Sequence, residues 1–145
     1  MATQSGILTP TSTAPATTPL PTGGALPRLA LQADGAVCAA LGTTLALGAS
    51  PIAAFTGLPL AATLGLGLAL IPYGVGLFLR ARRHSDRRTL LTIAALNAVW
   101  VVASGLMLLT GWPALTTGGN WAVGIVALLV ADLAAVQCYA ARRVG

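Results

Sequence analysis

The sequence predicts an all-α fold, a transmembrane four-helix bundle, and three observations support this class. Apolar residues make up 56% of the 145 residues and charged residues only 8%, whereas a soluble domain carries about 25% charge. Four apolar stretches each have the length, about 20 residues, at which a helix crosses a hydrocarbon core about 30 Å thick. All eight basic residues are arginines, and they cluster in the short segments that flank these stretches.

The N-terminal segment, residues 1–27, is predicted to be a disordered cytoplasmic tail that precedes the transmembrane domain, residues 28–145. The tail is rich in Thr and Pro and holds no charged residue. Proline and glycine oppose regular structure, and the tail has too little apolar surface to offset the entropy lost on ordering. It also lacks the basic start of a signal peptide.

The transmembrane spans are predicted at residues 29–49, 58–79, 89–111 and 120–141. Their length and the absence of period-two alternation exclude strands, and open sheet edges do not occur in lipid. Ser50 and Pro51 are expected to end the first helix, and Asn120 to cap the start of the fourth. Pro72 lies inside the second span, where the lost backbone hydrogen bond predicts a kink.

The arginine positions predict the orientation of the chain. One arginine precedes the first span, five lie between the second and third spans, and two follow the fourth: Arg28, Arg80, Arg82, Arg83, Arg87, Arg88, Arg142 and Arg143. The other two connections hold none. Because arginine-rich segments stay in the cytoplasm, both termini are expected there.

No motif indicates catalysis, a cofactor or a metal site. The Gly-x-Ser-x-Gly, phosphate-loop, Cys-x-x-Cys and His-Glu-x-x-His patterns are absent. His84 is the single histidine, and Cys38 and Cys138 lie in apolar spans, where cysteines behave as small hydrophobes. We therefore expect a non-enzymatic protein in a lipid bilayer, without catalytic residues, cofactors or metal. Nucleic acid is not an expected partner, because the arginines occupy only short loops.

Six residues within the spans form the candidate intramembrane polar network: Asp34, Tyr73, Asn97, Trp100, Asp132 and Gln137. Polar and ionisable groups are costly in lipid and are functional candidates for that reason. Counted from the nearest arginine, Asp34 and Gln137 lie about 8–9 Å deep, and Asn97 and Asp132 about 14–15 Å. Equal depth predicts that Asp34 pairs with Gln137 and Asp132 with Asn97, with Tyr73 within reach of either pair.

Two interpretations of the carboxyl groups stay open. Asp34 and Asp132 either are hydrogen-bonded clips between helices or exchange protons or bind a cation. The clip is favoured, because no basic residue lies at their depth and no span carries a polar stripe.

The leading hypothesis is an accessory or packing subunit, in a homo-oligomer or a larger membrane complex. The alternative is a small proton-coupled transporter that uses Asp132 and Asp34. Trp100 shares a helix face with Asn97, and its N–H needs a partner.

Small residues recur at steps of three and four and predict close helix packing. They are Gly35, Ala39, Gly42, Ala46 and Ala49 in the first span, Ala62, Gly65, Ala69, Pro72 and Gly76 in the second, and Gly124, Ala127, Ala131, Ala134 and Cys138 in the fourth.

Five short motifs carry a family resemblance: Asp34 early in the first helix, Ser50-Pro51 followed by Gly57-Leu58-Pro59, the arginine cluster after the second helix, Ala95-Leu96-Asn97-Ala98-Val99-Trp100, and Ala131-Asp132 with Gln137. Through these motifs residues 28–143 resemble a family of small, functionally uncharacterised bacterial integral membrane proteins with four transmembrane helices. The resemblance implies a bacterial cell (inner) membrane protein and brings no activity with it.

Overall fold

The computed structural model describes residues 25–83 and 85–144. All regular structure in these two ranges is helical, and the five helices are α1 (Ala25–Leu47), α2 (Ala49–Thr56), α3 (Leu60–Arg83), α4 (Arg87–Thr110) and α5 (Thr117–Arg142). Helices α1, α3, α4 and α5 are long and apolar enough to cross a membrane. The all-α class and the four apolar spans are thus confirmed. Residues 1–24, which make up most of the predicted tail, lie outside the described residues, and so does His84.

Helix α1 begins at Ala25, inside the segment that the sequence assigned to the tail. Pro27 lies in its first turn and is buried. Proline is tolerated there because the first amides of a helix have no acceptor within the helix. The first helix therefore starts before the predicted boundary at residue 28, and it includes the last three residues of the predicted tail, residues 25–27.

A short helix, α2, occupies the connection that follows α1. Helix α1 ends at Leu47, so Ser50 and Pro51 do not end it as predicted, and Pro51 instead lies in the first turn of α2. Helix α2 ends at Gly57, which has a φ of 81° and donates its N–H to the Ala53 carbonyl at 2.9 Å. A left-handed residue of this kind at a helix end favours glycine.

Side-chain caps fix the start of both α4 and α5. Thr116, and not Asn120 as predicted, caps α5: its hydroxyl oxygen accepts the Gly119 N–H at 2.9 Å. Asp86 caps α4 and accepts hydrogen bonds from the Thr89 hydroxyl at 2.7 Å and the Thr89 N–H at 3.3 Å. These bonds lower the pKa of the Asp86 carboxyl below its usual value, the hydroxyl contributing most.

The long helices pack mainly as two pairs, α1 with α3 and α4 with α5. Two glycine contacts bring the backbones of α1 and α3 together. A Cβ atom on Gly35 would lie 2.7 Å from the Gly74 carbonyl oxygen, and one on Gly42 would lie 2.8 Å from the Gly67 oxygen. Gly35 and Gly42 are seven residues apart in α1, and Gly67 and Gly74 are seven residues apart in α3. The two helices therefore stay in contact over two turns.

The small-residue prediction is right for α1, except that Ala49 lies in α2, and it is wrong for α3. Gly65 and Gly76, which belonged to the predicted face of α3, have nothing within 4 Å of an added Cβ. The contacting glycines are Gly67 and Gly74. Two residues correspond to about 200° around a helix, so the predicted face is turned nearly opposite to the real one. In a helix rich in glycine and alanine, several faces satisfy the spacing rule, and only the partner selects one.

At the end of the bundle opposite the arginines, α2 connects the two helix pairs. The Thr116 hydroxyl donates to the Phe55 carbonyl at 2.5 Å, and the Thr116 N–H donates to the Thr56 carbonyl at 3.1 Å. Gly119 lies directly against the Thr56 backbone, where no side chain would fit. The start of α5 is therefore anchored to α2.

The α1–α3 contact yields a prediction with a matched control two residues away. Gly74→Ala places a methyl group against the α1 backbone and is expected to lower the free energy of unfolding by about 1–3 kcal/mol or more. Gly76→Ala, which meets no atom, is expected to leave stability unchanged or slightly raised. Unfolding in mixed detergent micelles, followed by helical circular dichroism, measures both. Equal stability of the two variants would contradict the contact.

Candidate intramembrane polar site

Three helices contribute one side chain each to a buried polar cluster: Asp34 of α1, Asn97 of α4 and Gln137 of α5. The Gln137 amide donates to Asp34 Oδ2 at 2.6 Å. The Asn97 amide donates to the same oxygen at 2.9 Å and to Gln137 Oε1 at 3.2 Å. Asp34 and Gln137 are fully buried and Asn97 is 7% exposed. The cluster joins the α1–α3 pair to the α4–α5 pair.

The described hydrogen-bond partners of the Asp34 carboxyl group are amide and thiol groups. Both amides donate to its Oδ2, and the Cys38 thiol lies at donor distance, 3.5 Å, from its Oδ1. All of these partners are neutral. The carboxyl group is therefore held by dipoles, without a cation among the described side chains.

The structure brings together part of the network expected from depth. Asp34 and Gln137 form a direct hydrogen bond, as equal depth predicted, but Asn97 joins this pair and does not contact Asp132. Asp132 precedes Gln137 by five residues, which is about 140° around the helix once full turns are removed. The two side chains of α5 therefore point to different neighbours. The predicted depth of a residue in the membrane does not say in which direction its side chain points around the helix.

Tyr73 and Trp100 do not hydrogen-bond to the cluster, but they line a groove beside it. The groove has a volume of about 460 Å³ and is lined by residues of all four long helices. Asp34, Cys38 and Asn97 also contribute to its wall. Four of the six candidate residues thus belong to one groove, Gln137 lies behind them, and Asp132 lies elsewhere.

Asp132 is exposed on the outer surface of α5. It borders a smaller depression of about 200 Å³ between α1 and α5. The other residues of this depression are Val37, Leu129, Leu133 and Val136, of which the first three also line the groove. No hydrogen bond from the described residues reaches its side chain. A carboxyl group in this position faces either lipid or another molecule.

The sequence did not single out Cys38 or the apolar residues of the groove. Cys38 lies four residues after Asp34, a spacing that brings two side chains of a helix together. The sequence was therefore sufficient to predict this contact. The apolar residues carried no signal, because they resemble those that face lipid.

The described chain is thus a set of four apolar helices around a buried polar cluster, which indicates a multi-pass membrane protein. No protein-family model matches the sequence, and comparisons with curated proteins and with solved structures return no match either. The family resemblance inferred from short motifs therefore stays a prediction.

Removal of one amide tests whether the cluster holds the helix pairs together. Asn97→Ala deletes two hydrogen bonds and is expected to cost about 1–3 kcal/mol of unfolding free energy, because two buried oxygen atoms each lose a donor. Ser104→Ala is the control: Ser104 is equally buried, lies two turns along the same face of α4, and contacts no polar partner on another described helix. Detergent unfolding compares the variants. A loss for Asn97→Ala no larger than the control would argue against a clip.

Proposed function

We propose that this chain is a non-enzymatic protein of the bacterial inner membrane that serves as an accessory or packing subunit, with both termini in the cytoplasm. It associates with another protein within the bilayer through the outer face of α5. The observation that carries the proposal is Asp132, an ionisable residue exposed on an apolar transmembrane helix.

The outer face of α5 has the pattern of a helix-packing surface. Ile125, Leu129, Asp132, Val136 and Tyr139 follow one another at steps of four and three, and all five are exposed. This is the spacing by which two helices interlock along a seam. Helix α5 is also the least buried of the four spans. We call these five residues the α5 seam.

The carboxyl group of Asp132 favours a neighbouring helix that covers the α5 seam. A carboxyl group that faces hydrocarbon is costly, and in structures such groups almost always face a bundle interior or a partner. A hydrogen-bonding group on a neighbouring helix would relieve this cost, and one polar residue within an apolar seam also selects the register of pairing. A second copy of the chain or another membrane protein fits this description.

The arginines support the cytoplasmic assignment of both termini. Seven of them lie in terminal turns or at a helix cap: in the last turn of α3, in the first turn of α4, and at the C-terminal end of α5. The guanidinium carbon of Arg82 lies 5.3 Å from the centre of the Phe78 ring, and Arg143 stacks similarly on Tyr139 at 5.0 Å. These contacts hold the charged groups against the ends of their helices.

Proton-coupled transport remains a second candidate, and a specific observation favours Asp34 over Asp132 as its site. Asp34 lies at the wall of the groove between the helix pairs, whereas Asp132 lies outside it. A transported proton or cation needs a route to the carboxylate, and the groove is the route that these helices offer.

Cysteine labelling tests the proposed orientation. In a Cys38→Ser, Cys138→Ser background, Ala114→Cys lies in the arginine-free connection between α4 and α5, and Val144→Cys lies after α5. A membrane-impermeant maleimide applied to intact cells is expected to label Ala114→Cys, and to label Val144→Cys only after the cells are opened. The reverse pattern would place the termini outside.

Photocrosslinking in the native membrane tests lateral association. A benzophenone amino acid at Ile125, within the α5 seam and outside the groove, is expected to yield a protein adduct of one defined mass, and Asp132→Leu is expected to abolish it. The matched control is the same amino acid at Val102, which is exposed on α4, and should react only with lipid. Lipid adducts alone from Ile125 would count against the accessory role.

A further inference from the structure

The polar cluster contains a carboxyl group but no cation from the described helices, and an apolar groove runs directly beside it. We propose that this groove binds a hydrophobic amine in its protonated form, with the ammonium group next to Asp34 and Asn97 and the apolar body between Tyr73 and Trp100. The site depends neither on the lateral association described above nor on whether its ligand is transported.

The dimensions and wall of the groove suit such a ligand. Its volume of about 460 Å³ falls within the range of small-molecule pockets, about 300–1,000 Å³. The wall away from the cluster is aliphatic and includes Val37, Leu41, Leu66, Leu70, Val126 and Leu133. Polar groups reach the groove at one level only, where Asp34, Cys38, Tyr73 and Asn97 meet. A molecule with one polar end and a compact apolar body matches this division.

The carboxyl group of Asp34 favours a cationic ligand. Its described hydrogen-bond partners are all neutral, so an ammonium group beside it would supply the counter-charge that a buried carboxylate needs in an apolar medium. No lysine or arginine lines the groove, so an anion would find no counter-charge there. Asp34 belongs to the wall of the groove, although its side chain is fully buried.

Asn97 supplies an acceptor for the ammonium group. Both hydrogen bonds of its side chain use the nitrogen as donor, and no described residue donates to its carbonyl oxygen. Asn97 is 7% exposed and forms part of the groove wall, which leaves this oxygen available to an N–H donor. Hydrogen bonding therefore favours a protonated primary or secondary amine over a quaternary ammonium ion.

The aromatic residues favour the same ligand. Tyr73 of α3 and Trp100 of α4 come from different helix pairs and both line the groove. Aromatic faces attract cations, and tryptophan does so most strongly. Trp100 lies in the middle of a span, away from the membrane surface where tryptophan is usually found, and a ligand contact accounts for that placement.

Three probes of one shape separate charge from hydrophobicity: 1-adamantylamine, 1-adamantanol and adamantane-1-carboxylate. Titration calorimetry with the full chain in detergent micelles at neutral pH is expected to show the amine bound at least roughly tenfold more tightly than the alcohol, and the carboxylate not bound. Asp34→Asn is expected to weaken the amine to the level of the alcohol. Asp132→Asn, the same substitution outside the groove, should change nothing. Equal affinity for all three probes, or an unchanged amine affinity in Asp34→Asn, would overturn the proposal and leave a groove for lipid chains.

A second pair of variants tests the groove without altering the cluster, and so decides the question even if Asp34→Asn fails to fold. Ala69→Phe narrows the groove from α3 and is expected to abolish amine binding. Ala62→Phe is the control, because it adds the same ring seven residues earlier on an exposed part of α3, outside the groove. Amine binding that survives Ala69→Phe with unchanged affinity would place the ligand elsewhere and refute the site.

Discussion

The hydrogen bonds that Asp34 accepts from Asn97 and Gln137 connect the two halves of this membrane protein at its centre. Glycine contacts hold α1 against α3, and α4 packs along α5, but the two pairs share little surface away from α1 and α5. Two donors on one buried oxygen supply what the apolar surfaces lack, because lipid tails compete with apolar side chains and do not compete for a hydrogen bond.

The groove follows from the same arrangement. Beside the cluster, the side chains of four helices leave about 460 Å³ unfilled. The polar contact that joins the pairs therefore also places a carboxyl group at the edge of an apolar space. One residue, Asp34, thus has a structural role and a recognition role, and the neutral character of its protein partners links the two. The carboxyl group is held in position without a cation among the described residues.

The two intramembrane carboxyl groups differ because of their surroundings and not their residue type. Asp34 has hydrogen-bond donors from two other helices, whereas Asp132 is exposed on α5, beside Val37 of α1, and has no hydrogen bond from the described residues. Sequence reasoning treated them as similar because both interrupt an apolar span. In the structure, Asp34 belongs to a site inside the bundle, whereas Asp132 belongs to an exposed surface that favours a partner. The two residues therefore raise different functional questions.

The sequence alone determined the helical class and the four spans, because span length and the loss of charge are set by the solvent, lipid, and do not depend on partners. Depth counted from the nearest arginine also predicted the contact of Asp34 with Gln137. It placed Asn97 about 6 Å deeper than these two residues, however, although Asn97 hydrogen-bonds to both. Tertiary structure decided what depends on rotation and on neighbours. It made Gly67 and Gly74 the contact residues of α3, Asn97 a third member of the Asp34–Gln137 cluster and not the partner of Asp132, and Thr116 the N-cap of α5. A difference of two residues along a helix is only about 3 Å in depth, yet it is more than half a turn in direction.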